Sequence, residues 1–470
     1  MKRHKKPHVP DFLKQALATI SILPAQEPIH PLNKLDESLT PNMRALRLTM
    51  AIGSELLAMG VAASDVVHMA RGITDTYCKR RVHVDISSTL ITVSQDRGID
   101  KEPLTLMRTI ALKDANYHMI QDLQQLALLI RNTHLPLEEA EQQLEVIIAS
   151  PRRHPRWITY GSSGLVSMGA VILFGGSPLM CILAFVMGIL ATGVLRWLWK
   201  IGVSLFYAQI AVALCITLAT GFVEWLNVQL GLGINTTLLV ISGIILLVAG
   251  LLIVGAFQDA IDEFYVTAGA RLLRVGMMTG GIVVGVLIGL YIIQRSGISF
   301  PTTPDRLTLT EASLQYVGAL LIAAGFAAGN HARLFGMIIS GLAAMFGWWV
   351  SRMLMDEFGI VIASGMAAAA IGVTAVFVSR LSRFPSMAII AAGIVPLVPG
   401  LSLYNGLMGV VANPPGDPEF MMALAVLARA VMIGLVVAMG ASVGNVIARP
   451  IRRRVIHAYR YRAAKRPHES

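Results

Sequence analysis

The chain has 470 residues, of which 55% are hydrophobic and only 14% are charged, and its mean hydropathy is +0.64. This apolar content exceeds that of a soluble enzyme, and the 7% of aromatic residues is too low for an outer-membrane barrel. The net charge of +11 comes from residues at the chain ends and between apolar runs, which argues against a nucleic-acid-binding face.

The first 41 residues form a basic tail and a proline-rich linker. The opening MKRHKKPHVPDFLKQALATISIL is positively charged, but Lys14 and Gln15 interrupt its apolar part and no small-residue cleavage site follows. We therefore expect no signal peptide. Pro24, Pro28 and Pro31 then space a linker that leads into the first folded segment.

Residues 42–150 have the pattern of a small soluble α+β domain. Helical periodicity marks 43–60 and 63–78, and again 116–132 and 135–149. Between these pairs, RVHVDISSTLITVSQ and LTLMRTI alternate apolar and polar residues, which predicts short strands. The predicted order is helix, helix, strands, helix, helix.

The rest of the chain is predicted to be an all-α polytopic membrane domain. Ten apolar runs are each near the ~20 residues that a helix needs to cross a bilayer. They lie at 158–175, 178–195, 203–223, 235–256, 273–293, 312–329, 334–350, 359–378, 387–411 and 421–447. Five fall in a first repeat, residues 151–300, and five in a second, residues 301–448. Residues 449–470 form a basic C-terminal tail.

Lysine and arginine residues set the expected orientation of these runs. They cluster in alternate connections and in the C-terminal tail, whereas the remaining connections hold only Arg295, Arg306 and Arg352. The positive-inside rule then places both termini and the α+β domain in the cytoplasm. The expected location is the plasma (inner) membrane.

The two halves share an internal repeat. GIVPLVPGL (393–401) matches GIILLVAGL (243–251) at six of nine positions. Because each half holds an odd number of runs, the second half must enter the membrane from the opposite face, which gives the inverted repeat common in secondary transporters. Pro399 and Gly400 interrupt the second copy, and Gly250 occupies the matching point of the first. Such breaks free backbone groups for a substrate near the midplane.

Three carboxylates follow the first break within five positions, in the stretch LLVAGLLIVGAFQDAIDEFY. They are Asp259, Asp262 and Glu263. Asp259 lies nearest the break, where a partly desolvated carboxylate could alternate between protonated and ionised forms. The alternative is an interfacial loop with solvated charges, since a charge at the midplane costs about 2.5 to 3.5 kcal/mol.

Three further residues are candidate substrate ligands. Arg271 and Arg429 occupy related places in the two halves and could bind a carboxylate through paired hydrogen bonds. The alternative for both is an arginine that reaches the membrane surface. Asn405, six residues after Pro399, offers a donor and an acceptor to a zwitterion, although an asparagine near a break is also an ordinary local cap.

No cofactor, metal site or catalytic centre is predicted. Cys78, Cys181 and Cys215 have neither metal nor disulfide spacing. The sequence has no phosphate-binding loop, so an ion gradient, not ATP, is the expected energy source. GASVG (440–444) matches a nucleophile pattern but lies in a long apolar run, where it is better interpreted as a helix-packing face.

Several segments resemble the threonine/serine exporter family. IGSELLAMGVAASDVVHMA (52–70) resembles the opening helix pair of that family, and LPLEEAEQQLEVI (135–147) the end of the same domain. GAFQDAIDEFYVTAGARLL (255–273) and VPLVPGLSLYNGL (395–407) resemble its signatures after the fourth span and in the second half. The likeness covers residues 43–447 and implies a cytoplasmic domain fused to ten helices that export threonine and serine. Ala249 departs from the pattern, because the second half has proline there.

We therefore expect a secondary transporter, not an enzyme, that exports small polar amino acids and is driven by the proton gradient. Its expected partners are the small-molecule substrate, protons and the lipid bilayer, without nucleic acid, and the chain could form a homo-oligomer. A dicarboxylate (succinate-like) exporter is the alternative that split relatives of the family imply.

Two other classes of function remain open at this point. A membrane-tethered enzyme could use Glu55, Asp65, His68 and Asp85, but these form no recognisable constellation, and an ion pair or cap is the simpler role for Glu55. His68, His83 and His118 are not spaced as metal ligands. A sensor or partner platform on a passive bundle is the other class.

The sequence also suggests a division of labour between the halves. Asp259 would exchange a proton as the halves rock, while the Pro399–Gly400 break and Asn405 hold the substrate. Asp259→Asn should then abolish gradient-driven export but leave substrate exchange largely intact, since exchange moves no net proton. Asn405→Ala should weaken both.

Overall fold

The chain has two parts in the computed structural model, an N-terminal α+β unit (residues 41–149) and a helical bundle (residues 156–464). The structure describes residues 40–98, 101–150, 153–247, 250–297, 311–382 and 384–464. Within these ranges the elements follow the order predicted from the sequence.

The N-terminal unit packs four helices around a three-stranded sheet. Its elements are α1 (Pro41–Ala58), α2 (Ala63–Tyr77), β1 (Val82–Ser87), β2 (Leu90–Gln95), β3 (Leu104–Thr109), α3 (Tyr117–Thr133) and α4 (Leu137–Ala149). The sheet is antiparallel in the order β1-β2-β3, with Ile86 opposite Ile91 and Thr92 opposite Met107. The Thr40 hydroxyl accepts a hydrogen bond from the Met43 backbone and begins α1.

The bundle helices lie over the predicted apolar runs, but they do not confirm the predicted count of ten, because the runs 235–256 and 387–411 are each divided between two helices. Its helices are α5 (Arg156–Leu173), α6 (Pro178–Lys200), α7 (Leu205–Leu230), α8 (Thr237–Leu247), α9 (Gly250–Ile261), α10 (Tyr265–Arg295), α11 (Ala312–Gly329), α12 (Leu334–Ser382), α13 (Ser386–Gly393), α14 (Gly400–Ala412) and α15 (Pro418–Ala464). In the described part of the chain, five of them are long and apolar enough to cross a membrane: α6, α7, α10, α12 and α15.

Helix α12 contains a break that its length makes necessary. Its 49 residues would extend ~74 Å as one straight helix, more than twice the ~30 Å of a hydrocarbon core. Gly359 interrupts it with non-helical angles, φ 73° and ψ 164°, which only glycine adopts readily. The two predicted runs 334–350 and 359–378 therefore lie on either side of this break.

The second of the two predicted helix breaks is well defined. Helix α13 ends at Gly393, a short 3-10 turn follows at Val395–Leu397, and α14 begins at Gly400 after Pro399. In the first half, α8 ends at Leu247 and α9 begins at Gly250. Val248 and Ala249, where that break was expected, lie outside the described residues.

Small residues let the bundle helices approach closely. A Cβ on Gly318 of α11 would lie 2.8 Å from the Gly169 carbonyl oxygen of α5. Gly440 of α15 lies directly against Gly365 of α12, and Gly444 against Ala369. The GASVG segment is thus a packing face, as the sequence analysis interpreted it, and not a nucleophile turn.

Candidate functional site

A cavity of about 310 Å³ lies between the N-terminal unit and the bundle. The N-terminal unit contributes the turn at 58–60 and the segment 112–115 to its wall. The bundle contributes residues of α5, α6, α7, α10 and α11. The cavity therefore has one wall from the N-terminal unit and the others from helices of the bundle.

Hydroxyl and amide groups form the polar part of the bundle wall. The Thr192 hydroxyl donates to the Ser163 hydroxyl at 2.6 Å, and the Ser163 hydroxyl donates to the Thr159 carbonyl at 3.2 Å. Thr159 Oγ1 and Gln209 Oε1 are buried and have no hydrogen-bond partner among the described residues. Because a buried unpaired polar atom costs about 1–3 kcal/mol, these two atoms favour a polar ligand in the cavity.

Charged residues of both signs line the same cavity. Arg196 of α6, Arg274 of α10 and Asp114 of the segment after β3 are among them. Desolvation raises the pKa of Asp114, and the positive charges of Arg196, Arg153 and Arg274 oppose this rise. Its side chain still reaches solvent, so the desolvation is partial. Opposite charges beside hydroxyl groups suit a small zwitterion that carries both an ammonium and a carboxylate.

Lys113 is held away from this ligand role by Glu55. Its ammonium contacts both Glu55 carboxylate oxygens at 2.8 Å. Glu55 therefore forms the ion pair within the N-terminal unit that its place on an apolar helix suggested. Of the other residues considered for an enzyme, Asp65 accepts a hydrogen bond from Gln258, and His68, His83 and Asp85 are exposed.

Asp259 lies where the bundle meets the N-terminal unit. Helix α2 begins after Ala62, whose side chain cannot cap the helix. Asp259 Oδ1 accepts a hydrogen bond from the Ala63 backbone N–H at 2.6 Å, so a carboxylate of α9 caps α2 from another part of the chain. Asp259 is completely buried.

Arg271 pairs with Asp259 in the same contact. Its Nη1 lies 3.0 Å from Asp259 Oδ2, an ion-pair distance without hydrogen-bond alignment, and its Nη2 donates to the Val61 carbonyl at 2.7 Å. The guanidinium is also close to the backbone, because a Cβ on Gly255 would lie 2.6 Å from Nη1. Asp259 and Arg271 thus join α9 and α10 to the turn between α1 and α2.

Gln258 extends this contact into the second half of the bundle. Its Nε2 donates to Asp65 Oδ2 at 3.2 Å, and its Oε1 accepts from Asn445 Nδ2 of α15 at 3.3 Å. Gln258 is fully buried, and Asn445 nearly so. A polar chain therefore runs from the start of α2 through α9 to α15.

The remaining predicted site residues are dispersed. Asp262 follows α9 with a buried Oδ2 that has no hydrogen-bond partner in the described chain, whereas Glu263 is exposed with φ 69°. Arg429 is exposed on α15 and forms no ion pair within the part of the chain that the structure describes. The structure thus brings together Asp259 and Arg271 from the predicted set.

The break at Pro399 brings the two halves together. A Cβ on Gly400, the first residue of α14, would lie 3.0 Å from the Ile245 side chain near the end of α8. Asn405 lies one and a half turns further along α14, and its Oδ1 is buried without a hydrogen-bond partner among the described residues. The second break therefore packs beside the end of α8, with an unpaired acceptor close to it.

Sequence reasoning did not single out several of these polar residues. Thr159, Gln209 and Gln258 lie within or beside apolar helices, and a lone amide in an apolar run is the signal that could have identified the glutamines. Glu224 of α7 is a further case, a buried carboxylate that accepts from the Thr236 hydroxyl at 2.7 Å. No group of three metal-ligating side chains occurs among the described residues.

Two family models match this chain. The first, described as "Putative threonine/serine exporter", matches residues 47–293. The second, described as "Threonine/Serine exporter, ThrE", matches residues 315–447. The first match covers the N-terminal unit and helices α5 to α10, and the second covers most of the remaining bundle.

Two curated proteins are similar over most of their length. One, "Threonine/serine exporter" of Corynebacterium glutamicum, is 28% identical over 433 residues, which is 92% of this chain and 87% of that protein. The other, "Probable threonine/serine exporter" of Mycobacterium tuberculosis (strain ATCC 25618 / H37Rv), is 28% identical over 428 residues, 87% of this chain and 77% of that protein. No solved structure matches the chain.

Proposed function

Because the chain belongs to the threonine/serine exporter family, a family of membrane transporters, we propose that it exports small polar amino acids such as threonine and serine. The printed names of its relatives and the chemistry of the cavity support this substrate class. The proposed location is the plasma membrane, with both termini and the N-terminal unit in the cytoplasm.

The cavity is the proposed cytoplasmic binding site. Asp114 would pair with the substrate ammonium, and Arg196 or Arg274 with its carboxylate. The unpaired Gln209 Oε1 would accept a hydrogen bond from the side-chain hydroxyl of threonine or serine, and the unpaired Thr159 hydroxyl would bond to the oxygen of that same group. The two unpaired oxygens beside charges of both signs are the observation that carries the proposal.

The bundle would move the substrate by closing this cavity on one side of the membrane and opening it on the other. The proposed architecture is ten crossings in two inverted halves, with α8 and α9 counted together as one crossing, α13 and α14 together as one, and the two parts of α12 as two. The break at Pro399 and Asn405 would lie on the substrate route near the midplane. Gly250, Pro399 and Gly400 supply the flexible or unpaired backbone there.

Proton coupling is proposed to act through Asp259. Protonation would remove its charge from the Arg271 ion pair and weaken the cap of α2. The N-terminal unit, which forms one wall of the cavity, would then be held less firmly against the bundle. The proton would thus bind to Asp259, away from the substrate, and would act by changing how firmly the N-terminal unit closes the site.

Transport by purified protein in liposomes would test the assignment. We expect uptake of labelled threonine and serine by counterflow, and little uptake of succinate. Asp114→Asn should lower the apparent threonine affinity about tenfold, because it removes one charge-assisted contact. Asp85→Asn is the matched control, since Asp85 is an exposed aspartate of the same unit outside the cavity.

Two outcomes would contradict the proposal. If Asp114→Asn and the unmodified chain had equal affinity for threonine, Asp114 would not be a substrate ligand. Transport of succinate in preference to threonine would favour the dicarboxylate alternative, for which two arginines in the cavity would be the binding groups.

A further inference from the structure

A second, more open groove of about 530 Å³ lies next to the cavity. It is lined by His118 of α3, by Arg153 and His154 before α5, and by His331, Arg333 and Leu334 between α11 and α12. No acidic residue is among these lining residues. The groove thus joins the N-terminal unit to two connections of the bundle and presents only basic, imidazole and apolar side chains.

One arginine of the groove is fixed in place by the N-terminal unit. Arg333 Nη2 lies 2.9 Å from Asp122 Oδ1, and its Nε donates to His118 Nε2 at 2.9 Å. Asp122 therefore compensates one positive charge. Arg153 is exposed and forms no ion pair or hydrogen bond through its side chain with the described residues, although its charge acts on Asp114 of the neighbouring cavity.

His331 is a partly buried histidine of the groove that lies near several positive charges. His331 lies in the connection between α11 and α12, where its Nδ1 accepts a hydrogen bond from the His154 backbone N–H at 3.2 Å. Burial, and then the positive charges of His154, Arg153 and Arg196, lower the pKa of this imidazole to about 4. Burial is the larger cause of this shift, and the positive charges that add to it create a potential that attracts an anion.

Exposed apolar side chains place the groove at the edge of the lipid region. Trp157 at the start of α5 is 74% exposed, and Leu334 and Phe335 at the start of α12 are 71% and 58% exposed. In a membrane protein such side chains contact lipid, and tryptophan prefers the level of the headgroups. The groove therefore opens beside the headgroup layer and not only toward bulk water.

We propose that this groove binds the phosphate of an anionic phospholipid. Arg153 and Arg333 hold the phosphate oxygens, and His331 donates its Nε2–H beside them, because its Nδ1 already accepts from the His154 backbone N–H. Trp157 and Leu334 contact the upper part of the acyl chains. Because Arg333 is itself bonded to His118 and Asp122 of the N-terminal unit, the bound lipid lies at the junction of that unit with the bundle, beside the substrate cavity.

Native mass spectrometry of the full chain tests the proposal. The protein is titrated with phosphatidylglycerol or phosphatidylcholine in detergent, and bound lipid is counted. We expect phosphatidylglycerol to bind in preference, and Arg153→Gln to weaken its binding about fivefold. Arg153 is exposed and unbonded, so this variant should fold normally.

Arg156→Gln is the matched control, because Arg156 is also exposed, lies three residues further along and is outside the groove. It should leave lipid binding unchanged. Equal weakening by both substitutions would show general charge attraction and overturn the site. Equal binding of phosphatidylcholine would overturn the recognition of an anion. Competition by millimolar inorganic phosphate that removes the bound lipid would assign the groove to a soluble anion instead.

Discussion

At the scale of single residues, the Asp259–Arg271 pair has two roles that can be separated. Both side chains are buried, so removing one partner leaves an uncompensated group in the core. The coupling proposal gives Asp259 a transport role in addition. Stability and transport measurements on the same variants distinguish the two.

We expect Asp259→Asn to lower the thermal stability of the purified protein, at a cost of about 3–5 kcal/mol, because Arg271 then stays buried without its counter-charge. The double variant Asp259→Asn with Arg271→Gln should recover part of this loss. Thermal unfolding in detergent measures both. Stability of the single variant equal to that of the unmodified chain would contradict the buried ion pair.

The coupling proposal adds a transport result for the same substitution. Asp259→Asn should lose gradient-driven export while threonine exchange with equal pH on both sides continues. Export at the unmodified rate over a pH series would show that Asp259 serves only to fix the N-terminal unit.

The pH dependence of substrate affinity follows from Asp114. Its raised pKa means that the carboxylate takes up a proton at a higher pH than an ordinary aspartate. Affinity for the substrate ammonium should therefore be full above that pKa and fall as the pH decreases through it. Threonine exchange measured from pH 8 to about 5, with equal pH on both sides, should show this fall. Asp114→Asn should have a flat and weaker profile, and an unchanged profile would contradict the role of Asp114.

At the scale of elements, the helices were predictable but their partners were not. Bilayer thickness requires long apolar runs, so α11 matches its predicted run 312–329, whereas α7 continues to Leu230, beyond the predicted end at 223. A proline within an apolar run likewise predicts the helix break at Pro399. By contrast, Asp259 caps Ala63 across 196 residues of sequence, and no local pattern encodes that pairing.

The residues that line the cavity could not be predicted from local sequence patterns either. Asp114 lies in a polar segment after β3 that resembles any solvated connection, and only the packing of the N-terminal unit on the bundle places it beside Arg196. The sequence pattern identified the charged residues as topology signals. It could not show that they converge on one cavity.

The break in the second half supports a prediction at this scale. Asn405→Ala should lower both export and exchange, since its unpaired Oδ1 lies close to the break on the proposed substrate route. Asn413→Ala is the control, because its Nδ2 donates to the Gly409 carbonyl at 2.9 Å as a local cap at the end of the same helix. Transport assays in liposomes compare the two. Equal losses in both variants would reduce Asn405 to a structural role.

At the scale of the whole molecule, the N-terminal unit is built into the bundle and is not attached by a single linker. The Tyr117 backbone N–H donates to the Asn330 carbonyl at 2.8 Å, and the Tyr117 ring meets Phe384 edge-on at 6.3 Å. On another side, the Ser88 backbone N–H donates to the Thr267 hydroxyl at 3.0 Å. With the Asp259 contact, these bonds hold the unit over the cavity at three places. A transporter whose site is closed by a separate unit can be regulated through that unit without changes in the membrane helices.

The inverted arrangement of the two halves leads to a prediction about sidedness. Tyr265 and Glu419 lie at equivalent points, in the first turn of the last helix of each half, and both are exposed. If each half crosses the membrane five times, these two positions lie on opposite sides. In a variant without Cys78, Cys181 and Cys215, a membrane-impermeant thiol reagent should label Glu419→Cys in intact cells. It should label Tyr265→Cys only after the cells are opened, because that position is on the side of the N-terminal unit. Labelling of both positions from the same side would mean that the chain crosses the membrane an even number of times between them. The two halves would then have the same orientation in the membrane, which would exclude the inverted repeat.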